Sequence, residues 1–254
     1  MLEFCDPAAP QFLPVTTARS PVSLEVSPLV AEAGVATDFI FRLATSSGKP
    51  IAPVDLLVAH TRKLHLMVVD PSLTDYQHIH PIPGDVPGDW LVSFTPKLAG
   101  AYRVFADFTP AATARGLYAT VDVDVPGEST AFDHRPNLNE VVNEFQFELS
   151  LEDDHIRARE STDLTLSIRH QAGDSVALGE VMGAFAHLVA FDEDRTGFAH
   201  LHPRETDLAN PPELTAPELH FQITIPESGR YVIWAQIVLN GIEVFVPFWF
   251  DVEP

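Results

Sequence analysis

Two short stretches of the chain, "YQHIHP" at residues 76 to 81 and "FAHLHP" at residues 198 to 203, each carry two histidines separated by one apolar residue. In a β-strand, side chains two residues apart leave the same face about 6 to 7 Å from each other. Each pair of imidazoles is therefore predicted to point the same way, and one metal ion can contact both rings.

A third histidine precedes each pair inside an apolar run. It is His65 in the first stretch and His187 in the second, and in both cases it lies 13 and 15 residues before the members of the pair. The predicted ligand sets are His65, His78 and His80, and His187, His200 and His202.

The residues between the histidines predict an antiparallel hairpin with a four-residue connection at 71 to 74. If Asp70 faces Asp75 across this connection, His65 lies opposite His80, with Cβ atoms about 4.5 to 5.5 Å apart. Three imidazoles then converge on one point. The same register pairs Met67 with His78, and in the second stretch it pairs His187 with His202 and Val189 with His200.

Three neutral imidazoles with one open coordination position suit zinc, copper, nickel and ferrous iron, and we expect copper or zinc. Met67 shares a face with two of the histidines and could give a thioether to copper, or it could be a core filler. Asp107 and Gln236 occupy matching positions on later strands, where each could be a fourth ligand or could orient an imidazole. His60, His155, His170 and His220 have no histidine counterpart in the other stretch and are predicted to be surface or core residues.

The chain is an internal repeat with an all-β pattern. "HLMVVDPSLTDYQHIHP" at 65 to 81 aligns without a gap with "HLVAFDEDRTGFAHLHP" at 187 to 203, and short runs rich in Val, Ile, Phe and Tyr recur between turn residues. The sequence predicts two tandem immunoglobulin-like β-sandwich domains. Their predicted bounds are 22 to 126 and 143 to 254, after an irregular leader at 1 to 21 and around a linker at 127 to 142.

The strands predicted in the first repeat are Ser23–Ser27, Thr37–Ala44, Lys63–Asp70, Tyr76–His80, Trp90–Thr95, Ala101–Phe108 and Leu117–Val125. Those predicted in the second repeat are Glu144–Ser150, Thr162–Arg169, Phe185–Asp192, Phe198–His202, Leu219–Ile225, Arg230–Leu239 and Glu243–Val252.

Composition excludes several classes of partner. A net charge of -21 argues against nucleic acid and anionic membranes, because phosphates would be repelled. No run approaches the roughly 18 apolar residues of a membrane span. The single cysteine, Cys5, excludes an intramolecular disulfide and a thiolate metal cluster.

The stretch "KLHLMVVDPSLTDYQHIHP", followed by "GAYRVFADFTP", resembles the exported metal-associated β-sandwich domains grouped as YtkA-like, which occur beside copper and other heavy-metal handling proteins in bacteria. In these domains a histidine strand leads to an aromatic-x-His-x-His-Pro turn. The resemblance implies an immunoglobulin-like fold, a periplasmic or secreted location, and metal binding through His65, His78 and His80. The internal repeat extends this implication to His187, His200 and His202.

The expected function is that of an extracytoplasmic, non-enzymatic metal-binding protein with one site per domain, used in sensing, buffering or delivery. Its expected partners are the metal ion and a metal-handling protein of the cell envelope. Two alternatives stay open: a metal-dependent enzyme that uses a three-histidine site, and an adhesion or scaffold module whose histidines are structural and pH-responsive.

Overall fold

The computed structural model describes residues 12–16, 20–129, 134–153 and 155–254. The chain divides into two compact units. Domain 1 spans Val15–Phe132, and domain 2 spans Asp133–Pro254 together with the N-terminal residues up to Pro14. Cys5 and most of the predicted leader lie outside the described residues, as do residues 130 to 133 of the predicted linker.

Domain 1 is a sandwich of two four-stranded antiparallel sheets, with strand orders β1-β2-β6-β5 and β4-β3-β7-β8. Its elements are β1 (Val22–Ser27), β2 (Thr37–Thr45), a 3-10 helix (Pro53–Asp55), β3 (Leu64–Val69), β4 (Tyr76–Ile79), β5 (Ile82–Pro83), β6 (Asp89–Phe94), β7 (Gly100–Phe108) and β8 (Leu117–Val125).

Domain 2 repeats this plan with sheets β16-β12-β10-β9 and β11-β18-β17-β14-β15, and β13 also pairs with β17. Its strands are β9 (Asn139–Val142), β10 (Phe145–Leu151), β11 (Ile156–Arg157), β12 (Ser161–His170), β13 (Leu178–Gly179), β14 (Ala186–Asp192), β15 (Phe198–Leu201), β16 (Glu218–Thr224), β17 (Gly229–Leu239) and β18 (Ile242–Glu253).

The predicted fold class is confirmed, because both domains are two-sheet β-sandwiches with an alternating inward face, and their strands pair antiparallel except for the short parallel pair of β11 and β18. Every predicted strand is present, and its ends agree with the prediction to within one residue. The sequence analysis did not predict the short strands β5, β9, β11 and β13. These strands have two to four residues, too few to show a period of two.

Strand β3 explains how the fold positions histidine side chains. Leu64, Leu66 and Val68 point into the core of domain 1, so the alternation of a strand turns His65 and Met67 to the opposite face. All six residues of β3 are buried. Its sequence, LHLMVV, is apolar at every position except the histidine.

The predicted hairpin register is confirmed where strands pair. The amide of Asp70 donates to the carbonyl of Asp75 at 3.3 Å, and Met67 is the partner of His78. In domain 2, Val189 is likewise the partner of His200. His80 and His202 each follow the last residue of their paired strand.

One described segment of the predicted leader belongs to domain 2. Leu13 exchanges two backbone hydrogen bonds with Phe198 of β15, at 2.8 and 3.2 Å, and the ring of Phe12 lies edge-on to Tyr231 at 5.5 Å. Phe12 is 3% exposed and is part of the core of domain 2. Burial of this aromatic ring ties the segment to the edge strand that leads to His200.

Candidate metal centres

The triad of domain 1 is compact. The Nδ1 atom of His65 lies 3.2 Å from Nε2 of His78 and 3.1 Å from Nε2 of His80. The three ring centroids are 4.9 to 5.4 Å apart. His65 is 2% exposed and His78 is 6% exposed, so two of the three rings are nearly removed from water.

The triad of domain 2 has similar spacings between its rings. The Nδ1 atom of His187 lies 2.9 Å from Nε2 of His200, and the ring centroids, including that of His202, are 4.6 to 5.1 Å apart. In each triad one nitrogen from every ring falls within 4.8 Å of the others. The sequence prediction that these six histidines form two groups agrees with this arrangement, while their role as ligands stays a prediction.

These separations fit a small cation. A metal bound to imidazole at about 2.0 to 2.1 Å with tetrahedral angles requires its ligand nitrogens to be about 3.3 Å apart. The measured nitrogen–nitrogen distances in domain 1 are 3.1 and 3.2 Å. Both distances lie within a few tenths of an ångström of this value, and the ligand nitrogens of all three rings lie within 4.8 Å of one another.

A backbone carbonyl fixes the tautomer of the first histidine in each triad. Nε2 of His65 lies 3.0 Å from the carbonyl oxygen of Ala59, and Nε2 of His187 lies 3.1 Å from that of Val181. Because a carbonyl only accepts hydrogen bonds, Nε2 must carry the proton in the neutral ring. The lone pair is then on Nδ1, the atom that faces the other two imidazoles. Orientation by a carbonyl is a common feature of metal-bound histidine.

The carbonyl comes from a tight turn that both domains contain. In domain 1 the amide of residue 59 donates to the carbonyl of residue 62 at 2.8 Å, and the amide of residue 62 donates back at 3.0 Å. Residues 181 and 184 do the same at 2.8 and 3.1 Å. Both central residues of each turn have positive φ: His60 (47°), Thr61 (68°), Met182 (50°) and Gly183 (81°). Turn and triad repeat at one constant offset of 122 residues.

Burial keeps two rings of the first triad, those of His65 and His80, neutral at pH 7. Loss of hydration lowers the pKa of His65 to about 4, against the opposing effect of the Asp107 carboxylate. Burial also lowers the pKa of His80 to about 4, and the positive charge of Arg62 adds to this effect. A neutral imidazole is the form that coordinates a metal, so at neutral pH protons offer little competition.

The competing explanation for the close approach of the three rings is a hydrogen-bonded histidine network. The lone pairs and protons of the rings limit the hydrogen bonds that such a network can form. The Nδ1 of His65 has a single lone pair, which can accept one hydrogen bond of good geometry. Two nitrogens, from His78 and His80, nevertheless approach it to 3.2 Å or less. A cation between the three nitrogens accounts for both approaches, whereas one imidazole hydrogen bond accounts for one.

The predicted auxiliary residues lie next to the triads. Asp107 is the direct partner of His65 on β7, and Gln236 is the partner of His187 on β17. Burial raises the pKa of Asp107, and the nearby rings of His65 and His60 oppose this rise. The amide of Gln236 donates to Glu243 at 2.7 Å. Among the described residues, Asp107 does not belong to either group of histidine, cysteine, aspartate and glutamate side chains that could together hold one metal ion.

The sequence analysis missed the importance of His60. Its ring centroid lies 6.1 Å from that of His65, and it follows Ala59, whose carbonyl orients His65. The sequence contained a signal, because residue 60 and Met182 stand at the same offset of 122 as the triads. His60 is not among the matching histidines, because its counterpart is a methionine.

The chain belongs to the family described as "Domain of unknown function (DUF8832)", whose model matches it twice, at residues 17–125 and 140–254. The two matches coincide with the two sandwich domains and confirm the tandem repeat. This family description names no ligand, and the resemblance to YtkA-like domains stays a prediction. A comparison with curated protein sequences found no match.

Solved structures with some similarity include three proteins. Red sea bream transglutaminase is 7% identical over 93% of this chain, which covers 32% of that structure, with a TM-score of 0.29. The Escherichia coli adhesin FdeC is 13% identical over 96% of this chain, which covers 66% of that structure, with a TM-score of 0.25. The fibronectin(III)-like modules of Clostridium thermocellum CbhA are 12% identical over 91% of this chain and 93% of that structure, with a TM-score of 0.23. Nothing about function follows from similarity at this level.

Among the described residues, no helix combines the length and the apolar character that crossing a membrane would require.

Proposed function

We propose that this protein binds one transition-metal ion in each domain and acts as a metal-binding protein in sensing, buffering or delivery. The ligands in domain 1 are His65, His78 and His80, and those in domain 2 are His187, His200 and His202. Zinc and copper fit these donors best, and nickel and iron are also compatible with imidazole.

The observation that carries the proposal is the convergence of oriented lone pairs. In domain 1 two Nε2 atoms lie within 3.2 Å of the Nδ1 of His65, and the carbonyl of Ala59 holds the proton of His65 on the far side of its ring. In domain 2 the Nε2 of His200 lies 2.9 Å from the Nδ1 of His187, the carbonyl of Val181 again holds the proton on the far side of the ring, and the ligand nitrogens of all three rings lie within 4.8 Å of one another. A ligand set that is already neutral and oriented loses little conformational freedom on binding a cation.

Metal stoichiometry tests this function directly. Untagged full-length protein is stripped, reloaded separately with zinc and copper, and its metal content is measured by elemental analysis. We expect two equivalents in the parent, one in His78→Ala plus His80→Ala, and one in His200→Ala plus His202→Ala. His155→Ala, at an exposed histidine that belongs to neither triad, is the matched control and should keep two. Absence of bound metal in the parent, or equal loss in the control, would refute the proposal.

We further propose that the protein works outside the cytoplasm, in the periplasm or as a secreted protein, beside a metal-handling protein of the cell envelope. The resemblance of residues 63 to 81 to exported metal-associated domains supports this location. Cell fractionation with an antibody against the native protein tests it, and recovery with cytoplasmic markers alone would contradict it.

A metal-dependent enzyme is the second candidate, and one observation in domain 1 favours it. Asp107 lies directly across from His65, and burial raises the pKa of Asp107, as a general base beside a metal-bound water requires. Gln236 occupies this position in domain 2 and cannot titrate. Turnover of ester or phosphoester substrates by the zinc-loaded protein, lost in Asp107→Asn and retained when the triad of domain 2 is removed, would establish this activity in domain 1.

A further inference from the structure

The two triads have different electrostatic surroundings although their ligand atoms are arranged alike. The strand partner of His65 is the carboxylate of Asp107, and the strand partner of His187 is the amide of Gln236. Directly paired residues of an antiparallel sheet have Cα atoms about 4.5 to 5.5 Å apart. A carboxyl group, whose ionised form a bound cation favours, therefore stands next to one triad, and a neutral amide dipole stands next to the other.

We propose that the two centres are tuned to cations of different charge, domain 1 to a divalent ion such as zinc and domain 2 to cuprous copper. This inference rests on the proposed function, since it concerns the same two triads. Three neutral imidazoles leave the full charge of the metal uncompensated. Asp107 cancels one positive charge at the first centre, and nothing at the position of Gln236 does so at the second.

The physical reason is the cost of a net charge in a buried site. Zinc carries one more positive charge than cuprous copper. This additional charge interacts with the charge of Asp107, whereas Gln236 offers only a dipole. At a separation of about 6 Å and an effective dielectric constant of about 20 to 40, one additional charge changes the affinity by roughly 10- to 100-fold. The expected difference between the centres is thus in their selectivity, and a three-histidine site of either kind still binds both ions.

Other charges near the triads are more exposed. Arg62 acts on His80 in domain 1 and its counterpart in domain 2 is Ala184, but Arg62 lies on an exposed turn where water screens its charge. In domain 2 the amide of Gln236 is bound to Glu243, which is also exposed. Asp107 is only partly accessible, so its charge is screened less than either of these.

The neutral donors near the two triads favour opposite assignments of the softer ion. At the turn, His60 in domain 1 corresponds to Met182 in domain 2, which favours a softer ion in domain 2. Met67, opposite His78, corresponds to Val189 and would favour a softer ion in domain 1. We assign the larger effect to the charge of Asp107, because an ion–ion interaction in a buried site exceeds a preference between neutral donors.

The experiment uses the full chain with one working triad at a time. One protein carries His200→Ala and His202→Ala, and the other carries His78→Ala and His80→Ala. Zinc affinity is measured by competition with a chromophoric chelator, and cuprous affinity is measured anaerobically against a Cu(I)-specific chelator. We expect the preference for zinc over cuprous copper to be about 10- to 100-fold greater in domain 1.

Isosteric substitutions assign the cause. Asp107→Asn should weaken zinc binding in domain 1 by about 10-fold or more and should leave cuprous affinity less affected, while Gln236→Glu should strengthen zinc binding in domain 2. Arg62→Ala and Met67→Val, each introducing the residue of the other domain, should change the selectivity by less than about threefold.

Failure of this inference differs from failure of the proposed function. Equal selectivity in the two single-site proteins, an equal loss of both ions in Asp107→Asn, or a larger effect of Met67→Val or Arg62→Ala would overturn the charge-based tuning. In each of these cases metal binding itself stands. If neither protein binds either ion, the proposed function is refuted as well.

Discussion

Metal binding should stabilise each domain separately, and substitution of one histidine should remove the effect from one domain alone. His78→Ala deletes a ring that is 6% exposed and contributes Nε2 at 3.2 Å from His65. His200→Ala deletes the equivalent ring in domain 2, at 2.9 Å from His187. Each change removes one of three ligands and leaves the other domain untouched.

The size of the effect follows from mass action. A ligand that binds only the folded state at a free concentration about 1,000 times its dissociation constant stabilises that state by about 4 kcal/mol. For a domain of about 110 residues this corresponds to a rise in Tm on the order of 10 to 20 °C. Amides that exchange through unfolding of the domain should become about 1,000-fold slower, because each 1.4 kcal/mol is one factor of ten.

Hydrogen–deuterium exchange with peptide resolution is the appropriate assay, since it reports on β4 and β15 separately. Each variant is compared with itself in excess zinc and in chelator, so the packing lost with the ring cancels. In His78→Ala we expect zinc protection at Phe198–Leu201 and none at Tyr76–Ile79, and the reverse in His200→Ala. Zinc protection of both strands in both variants would refute the assignment of the ligands, and His155→Ala should behave as the parent does.

Three further predictions concern stability. First, burial lowers the pKa of His65 and His80 to about 4, against about 6.5 in the unfolded chain. The contribution of these two histidines to the free energy of unfolding of the metal-free protein should therefore be complete above pH of about 6.5 and should be lost as the pH falls toward about 4. The urea midpoint, measured in chelator, should fall over this pH range, and it should fall less in His80→Asn than in the parent. An equal pH dependence of the midpoint in the two proteins would contradict the prediction. Second, Tyr102→Phe should destabilise domain 1 by about 1 to 3 kcal/mol, since the hydroxyl donates to buried Asp75 at 2.7 Å and accepts from the amide of Leu98 at 2.9 Å. The matched change Tyr231→Phe should cost less, at most about 1 kcal/mol, because that hydroxyl donates only to the carbonyl of Glu227 at 3.0 Å, and equal urea midpoints for the two variants would disprove this reasoning. Third, a Cβ added at Gly197 would clash with the carbonyl oxygen of Leu13, so Gly197→Ala should detach the segment around Leu13 and accelerate exchange of the amides of Leu13 and Phe198. Leu13→Pro, which removes the amide that donates to Phe198, should likewise accelerate exchange of the Phe198 amide, and unchanged exchange of that amide in both variants would contradict the proposed docking.

The hairpins that carry the histidines could be predicted from the sequence because their register has few alternatives. A one-residue slip in β3 would send His65 into the core and turn Leu66 outward, so the apolar pattern alone specifies the pairing. The pairing of Met67 with His78 follows from that pattern and from the facing of Asp70 and Asp75 across the turn. Both features are local and lie within about 20 residues of sequence.

The turn that orients the first histidine could not be predicted in the same way. Two-residue turns with positive φ usually contain asparagine, aspartate or glycine, whereas the first domain places His60 and Thr61 there. A β-branched residue such as Thr61 rarely has a φ of 68°, so the sequence gives no warning of the turn. Docking of Phe12 was also unpredictable, because it depends on contacts with Tyr231 more than 200 residues away.

The two domains share the backbone carbonyl that orients the first histidine and differ in the residue paired with that histidine on the next strand. Residues 59 and 181 differ in type, Ala and Val, yet each gives the same carbonyl to the same ring nitrogen. Backbone geometry is therefore reproduced where it sets the tautomer, while the partners of His65 and His187 on the next strand change from a carboxylate to an amide. A histidine network that served packing alone would have no use for a fixed tautomer that turns one lone pair toward two other nitrogens. A pair of centres for cations needs a fixed tautomer in both domains, as the two carbonyls provide, and it can accept a different charge beside each one.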